Sequence, residues 1–437
     1  MSLTAEKLLT LVGAIENDAL VFLCGAGLSV PEPSFLPSAP VVAKACFDKR
    51  TPIEALNAAL EHDVDSLAGH FYARGDFTET FIPLVPWNDL AGKPNRGHAA
   101  IADMLVSRAA HGALSANFDT MIERWAEDLK IDMQGALSGQ EATEFAAISN
   151  PLLKFHGCMK RGKTNTLWTQ AQLSEPEIQN RIQSCSQWMT LHLPGKHLVV
   201  VGFWTDWGYL NSVLATAFSI TNAASVTVID PSPSDALREK APNLWVKLNE
   251  LSTQFEHVQA SGADVLEQLR TAYSRAWLRK FYALGKPAAT ALSLGAEPSP
   301  DAISIDGLYD LRRDIEGVPY TRAATLKAPP TSSGEAALAH IKLISSGGTQ
   351  DGAWLKCSGH SVRVINGSGK VLEDVRVAHQ EPSSLPQPDI VVCTGSIDLG
   401  VPARVLASGK GASVVSPAAG GSARWITLQE ALEVVAP

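Results

Sequence analysis

Four places in this chain put small or polar side chains directly after an apolar run, and each suits a step of ligand chemistry. Gly25-Ala26-Gly27-Leu28-Ser29 follows the continuous apolar stretch 19–24. Small residues in such a turn let backbone N–H groups approach a phosphate, and the dipole of a following helix adds to the attraction. The same residues also make an ordinary turn without any ligand. Asn117-Phe118-Asp119 sets two short polar side chains past a second stretch, within reach of a sugar hydroxyl; they read equally as caps of the helix that begins near Met121. His156-Gly157 ends the stretch 151–156. A histidine there is either a general base working near neutral pH or a hydrogen-bonded structural residue. Asp230 closes the stretch 225–230 ahead of Pro231. An acid at that point bonds a ribose diol in dinucleotide folds, and Asp-Pro opens a turn just as readily.

These groups need elements to hold them. The clearest strand is 197–203, His-Leu-Val-Val-Val-Gly-Phe, leading into Trp204-Thr205-Asp206. Helical spacing of apolar residues runs over 8–15, 121–129, 209–218 and 263–277, and most of 40–110 reads as helix. Strands apolar on both faces, alternating with helices, imply a parallel sheet covered on both sides. Such sheets bind ligands at the carboxyl ends of their strands, where all the polar clusters fall. The expected fold is α/β: a Rossmann-like parallel sheet covered by helices, with helical insertions and a small C-terminal α/β or mainly β domain.

A length of 437 residues suggests two domains. The composition shifts near residue 284, where Leu-Gly-Lys-Pro-Ala-Ala-Thr-Ala and its continuation read as a linker over 284–301. That divides the chain into 1–283, the linker, and 302–437. In the last part, 362–365 and 371–377 flank Asn366-Gly367-Ser368-Gly369 as a β-hairpin would. A further strand is expected at 389–393, and Thr427-Leu428-Gln429-Glu430 fits a capping box. A net charge of −9 with no basic run argues against a general nucleic-acid surface. No apolar run reaches the ~18 residues of a membrane span, and the N-terminus lacks the basic start of a signal peptide. A cytoplasmic protein is expected. The six cysteines form no CxxC pair, so a zinc ribbon is not expected and the thiols read as reduced. Cys357 and His360 lie close in sequence without a second pair, and no metal site is expected.

In order, Gly-Ala-Gly-x-Ser, Asn-x-Asp, His-Gly, the glycine-led strand end at Gly202 and the acidic strand end at Asp230 resemble the sirtuin family. The resemblance covers about residues 5–283. It implies an NAD pocket with Gly25, Ala26, Gly27 and Ser29 around the phosphates, Asn117 and Asp119 beside the nicotinamide ribose, and His156 as the base. Where sirtuin deacylases carry Gly-Ile-Pro-Asp-Phe-Arg, this chain has Glu32-Pro33-Ser34-Phe35-Leu36, without the Asp or the Arg. That is similar to the Pro-Ser-aromatic form of bacterial sirtuin-like NADases and implies Pro33 and Phe35 as pocket residues. The two CxxC pairs of the deacylases' zinc module are absent. Gly202 and Phe203 stand for the family's later Gly-Thr/Ser segment, Asp206 for an Asp that NADase members often carry, and Asp230 for a position that is commonly Asn in deacylases.

The resemblance therefore implies an NAD glycohydrolase that releases nicotinamide and ADP-ribose without a metal. It implies a regulated bacterial defence effector, homo-oligomeric or paired with a partner defence protein, whose tail senses, assembles or binds. In this scheme His156 deprotonates a water or a ribose hydroxyl, Asn117 orients it, and Asp119 steadies positive charge on an oxocarbenium-like sugar. A non-catalytic NAD- or ADP-ribose-binding module and an NAD-dependent protein deacylase are the alternatives.

Overall fold

Seven strands of the N-terminal part hydrogen-bond into one sheet: β1 (Leu20–Cys24), β2 (Gly112–Ser115), β3 (Gly135–Ala136), β4 (Leu152–Lys154), β5 (His197–Val201), β6 (Ser225–Asp230) and β7 (Phe255–Gln259). In this computed structural model they are ordered β3-β4-β2-β1-β5-β6-β7, and every pair is parallel. The residues described are 3–219, 221–291, 305–316, 331–351, 354–366, 390–394, 424–426 and 428–435. The chain divides into two compact units, Met1–Arg270 and Thr271–Pro437.

The Rossmann-like α/β sheet expected from the sequence is present. Every residue of β1 and β2 is buried, which is why these strands show no alternation of apolar and polar residues. The two strands that sequence reading did not find, β3 and β7, are the two edges. β3 has two residues, and β7 is largely half-buried, with Glu256, His257 and Gln259 among its five residues. From β1 the chain builds outward through β2 and β4 on one side and through β5, β6 and β7 on the other. The reversal between β1 and β5 leaves a crevice at their carboxyl ends, the place where such sheets take ligands.

The helical insertion lies between β1 and β2. Helices Ala39–Arg50 and Val64–Ala73 and the π-turn Phe77–Phe81 enclose a core of their own, with Phe71, Phe77, Phe81 and Trp87 joined by Trp168 from beyond β4. Phe118 packs into it, its ring centroid 4.4 Å from that of Trp168.

The second unit holds a five-stranded mixed sheet, β8 (Thr349–Asp351), β9 (Trp354–Cys357), β10 (His360–Asn366), β11 (Ile390–Thr394) and β12 (Arg424–Ile426), with β8 to β10 antiparallel and β10 to β12 parallel. Its described helices are Ile305–Glu316, Thr331–Ser345 and Leu428–Val435. The expected hairpin over 362–377 has its first strand in β10, which also takes in Asn366 of the expected turn; the rest of the turn and the second strand lie outside the described residues. The antiparallel partner of β10 is the preceding β9, across Ser358-Gly359, both at positive φ as a tight two-residue turn needs.

Residues 284–291, read as the start of a linker, are the last turns of the helix Gly262–Ala291. Gly285 lies against Gly334 of helix Thr331–Ser345, where an added Cβ would stand 2.7 Å from the Gly285 nitrogen. The small residues that suggested a linker let two helix backbones touch. Residues 292–301 are outside the described set, as is Thr427.

Candidate active site

The floor of the crevice is backbone against backbone. Gly25 N donates to Val201 O at 3.0 Å and Gly27 N to Gly202 O at 2.8 Å. A Cβ on Gly27 would stand 2.8 Å from Gly202 Cα, and Gly202 itself sits at φ +63°. The glycines at 25, 27 and 202 are thus required by this close approach. The Gly27 N–H is spent on Gly202, while Ala26 and Gly27 remain exposed at the surface of the turn.

On the β2 side, Ser29 is the centre of a buried network. Its Oγ lies 3.0 Å from His98 Nε2, donates to Asp119 Oδ2 at 3.0 Å and accepts from Asn117 Nδ2 at 3.5 Å. Asp119 Oδ1 takes the Met121 N–H at 3.0 Å, so the residue also opens the next helix. Both sequence readings of Asp119, site and cap, describe one carboxylate. His98 belongs to the capping box of helix Arg96–Val106: Asn95 Oδ1 accepts from the Gly97 and His98 N–H groups, and Asn95 N donates to His98 Nδ1 at 3.2 Å. Burial pushes the His98 imidazole down to about 4, with Lys154 adding to the effect and Asp119 opposing it.

Lys154, at the end of β4, is 1% exposed and makes an ion pair with Glu123 at 2.9 Å. It also donates to the Asp119 backbone oxygen. Burial works against its charge, but Glu123 and the neighbouring acids outweigh burial and raise it. Gly135 of β3 leaves room for the lysine stem, since a Cβ there would stand 2.9 Å from Lys154 Cγ.

His156 follows β4 by two residues and is buried. Its Nε2 is hydrogen-bonded to the Tyr209 hydroxyl, and its ring lies 5.3 Å, centroid to centroid, from Trp207. Burial first, then the Arg181 guanidinium, push the imidazole down to about 3, against a hydrogen bond to the Ala116 carbonyl that favours the charged form. Burial pushes the Tyr209 phenol upward. The phenol therefore donates and the neutral imidazole accepts. Arg181 fixes this strand end by donating from Nε to Phe155 O at 2.9 Å and from Nη1 to Asn165 O at 2.8 Å.

The β5–β6 side is different. Asp206 accepts from Asn243 Nδ2 at 2.7 Å and from Leu244 N at 2.9 Å, which makes it the cap of helix Pro242–Glu250. Asp230 Oδ1 accepts from Ser232 N at 2.8 Å, the turn-opening geometry. Phe203 is buried in the main core. Pro33 and Phe35 are exposed, whereas Ser34 between them is buried and donates to Lys93 O at 2.7 Å. A cavity of about 500 Å³ opens between helices Pro176–His192 and Gly208–Ala217, and Tyr209 is the lining residue it shares with the His156 cluster.

Sequence reasoning missed His98, Lys154, Glu123 and Tyr209. Asn95-x-x-His98 carried a signal, an N-cap with a side chain three residues on that can reach back. Lys154 read as the tail of an apolar strand. Tyr209 had no signal, because its partner is 53 residues away. Among the described residues no group of three or more His, Cys, Asp or Glu could hold a metal ion, and no helix is long and apolar enough to cross a membrane. Burial pushes the Cys46 and Cys185 thiols up to about 12, as expected of inert core thiols.

No protein-family model matches the sequence, and no curated protein matches it. Solved structures are. The chain is similar to a serine-to-alanine mutant of a Sir2 homologue in complex with ADP-ribose, at 15% identity and a TM-score of 0.35, over 66% of this chain and 98% of that one. It is similar to a Sir2 homologue–NAD complex at 15% identity and a TM-score of 0.36, over 63% and 96% of the two chains. A third, Sir2 bound to an acetylated peptide, has 12% identity and a TM-score of 0.36, over 61% and 97%. The fold itself is established by the strand order and pairing given above.

Proposed function

We infer that the first unit binds NAD at the crevice beyond β1 and β5 and hydrolyses its nicotinamide–ribose bond. The observation that carries this reading is the side-chain constellation on the β2–β4 side. Ser29, Asn117 and Asp119 share one buried network, and a neutral His156 stands at the end of β4, next to β2 in the sheet. In the reaction the C1′–N bond breaks and its electron pair returns to the pyridinium ring, so nicotinamide leaves neutral. A water oxygen bonds to C1′ and gives up a proton. An imidazole held near 3 is a weak base, so His156, once the Tyr209 hydroxyl gives up Nε2, accepts a hydrogen bond from the water or a ribose hydroxyl and holds the proton only in passing. Asn117 orients the same group, and Asp119 lends negative charge to the oxocarbenium-like sugar.

The rest follows as part of the proposal. NAD is drawn from the cytoplasm, the cleavage serves regulated NAD depletion in bacterial defence, and the second unit senses, assembles or binds a partner protein. The hydrogen bond between Tyr209 and His156 favours a second reading, an NAD- or ADP-ribose-binding module without turnover, because it occupies the imidazole lone pair. Nicotinamide release by the purified full chain separates the two, and strict dependence on an added acyl-lysine peptide would instead mark a deacylase. Equal turnover by the full chain and residues 1–283, unchanged across protein concentration, would remove both tail and assembly as regulators.

A further inference from the structure

His156 has no ring nitrogen to spare. Its buried, neutral imidazole carries one proton and one lone pair. The proton goes to the Ala116 carbonyl, and the lone pair on Nε2 takes the Tyr209 hydroxyl. Any water or sugar hydroxyl that uses this base must first displace the phenol. The ring does not depend on the phenol for its place, because Phe155 and Trp207 pack against it, with centroids 4.7 and 5.3 Å away. The surroundings of Tyr209 show which part can move. Its helix, Gly208–Ala217, is anchored in the main core by Leu210, Leu214 and Ala217, and Asp206 just before it is held by Asn243 and Leu244. Tyr209 itself is half-buried and lies in the first turn, so no preceding turn restricts rotation about its Cα–Cβ bond. It borders the cavity of about 500 Å³ between helices Pro176–His192 and Gly208–Ala217. The other side chains lining that cavity are uncharged, and Gln183, Ser186 and Gln187 among them offer partners to a hydroxyl.

We propose that Tyr209 is a specificity-determining latch on His156: its phenol holds the Nε2 lone pair against water and turns into the neighbouring cavity when a sugar hydroxyl takes its place. Under the NAD reading above, on which this rests, the displacing group is a hydroxyl of the ribose beside the nicotinamide. Water meets the same phenol but brings no binding energy from the rest of a dinucleotide to displace it. The latch also weakens the apparent affinity for NAD, in proportion to the fraction of molecules in which it is closed.

Tyr209→Phe in the full chain keeps the ring and removes the donor. We expect Y209F to lower KM for NAD and to tighten ADP-ribose binding by about three- to tenfold, the worth of one neutral hydrogen bond, with kcat little changed. ADP lacks that ribose and should bind Y209F and wild type alike. Unchanged ADP-ribose binding, or a tightening shared equally by ADP, overturns the proposal. So does a fall in kcat to the level of H156A, which would make the phenol part of the reaction. A second measurement needs neither turnover nor ligand: carbethoxylation of His156 by diethyl pyrocarbonate, followed by mass spectrometry. An open imidazole lone pair attacks this reagent, so His156 should react several-fold faster in Y209F than in wild type. Equal rates overturn the latch whether or not the chain cleaves NAD. If His156 reacts faster in Y209F but neither protein binds NAD or ADP-ribose, the NAD reading fails, and the sugar hydroxyl assigned to the latch falls with it.

Discussion

The two flanks of the crevice spend their polar residues differently. On the β2–β4 flank, side chains bond across the fold: Ser29 to His98 over 69 residues of chain, to Asn117 over 88 and to Asp119 over 90. On the β5–β6 flank, Asp230 serves the turn two residues on, and Asp206, although it bonds 37 and 38 residues along the chain, spends its oxygens on the start of a single helix. Both flanks place acids just past parallel strands, and the sequence motif gives no way to rank them. What separates them is where the polar atoms go. A carboxylate used by its own turn stabilises that turn, whereas one bonded to another strand end belongs to a shared constellation.

The largest expected effect is on the first flank and concerns folding. Lys154→Met leaves Glu123 buried without its cation and should cost ~3–5 kcal/mol in chemical denaturation. The double change of Lys154 and Glu123 to methionine should recover most of that loss, because an apolar pair has no charge to desolvate. A single mutant near wild-type stability would show that the pair is solvated and the flank less rigid than drawn.

Next come His156→Ala and Asn117→Ala, each expected to lower nicotinamide release by about 10²–10⁴-fold with the melting temperature little changed. Turnover near wild type in H156A would remove the role given to that histidine. An unfolded N117A would make Asn117 a structural cap.

The third prediction concerns pH. The same flank buries two neutral imidazoles, held near 4 at His98 and near 3 at His156, below the ordinary 6.5. Between those values and 6.5 the unfolded chain binds more protons than the folded one, so stability rises with pH. Their contribution is complete above about 6.5 and is lost progressively as the pH falls toward 3. Denaturation midpoints followed from pH 7 to pH 4 should drop, and His98→Gln should flatten part of that slope. An unchanged slope would mean that His98 titrates normally.

The smallest effects belong to the second flank. Asp206→Ala should cost roughly 0.5–2 kcal/mol, the worth of a helix cap, and leave nicotinamide release unaltered. A fall in turnover comparable with that of N117A would erase the distinction between the flanks.

The sequence made the interior strands legible because both of their faces are buried: β1, β5 and β6 are rich in Val, Leu and Ile, with little alternation of apolar and polar residues. The edges were not legible, since β7 keeps polar residues and β3 has only two residues. Asn117, Asp119 and Ser29 were found from their places after strands. Their supports were not, because each depends on a distant partner: Lys154 on Glu123, 31 residues back, and His98 on Ser29. Composition misled at 284–291, where Gly285 serves a helix crossing that only the tertiary fold creates.

The floor of the crevice has a mechanical consequence. Gly25 and Gly27 are joined to the β5 end by hydrogen bonds from their N–H groups to the Val201 and Gly202 carbonyls, at separations that leave no space for even a methyl group. A seam of this kind cannot part in small steps, because opening it would strand the buried Gly25 amide without a partner. The two flanks therefore share one rigid keel. Breathing that admits a ligand must come from the rim, and the buried Gly25 amide should be among the last in this unit to exchange its hydrogen with solvent.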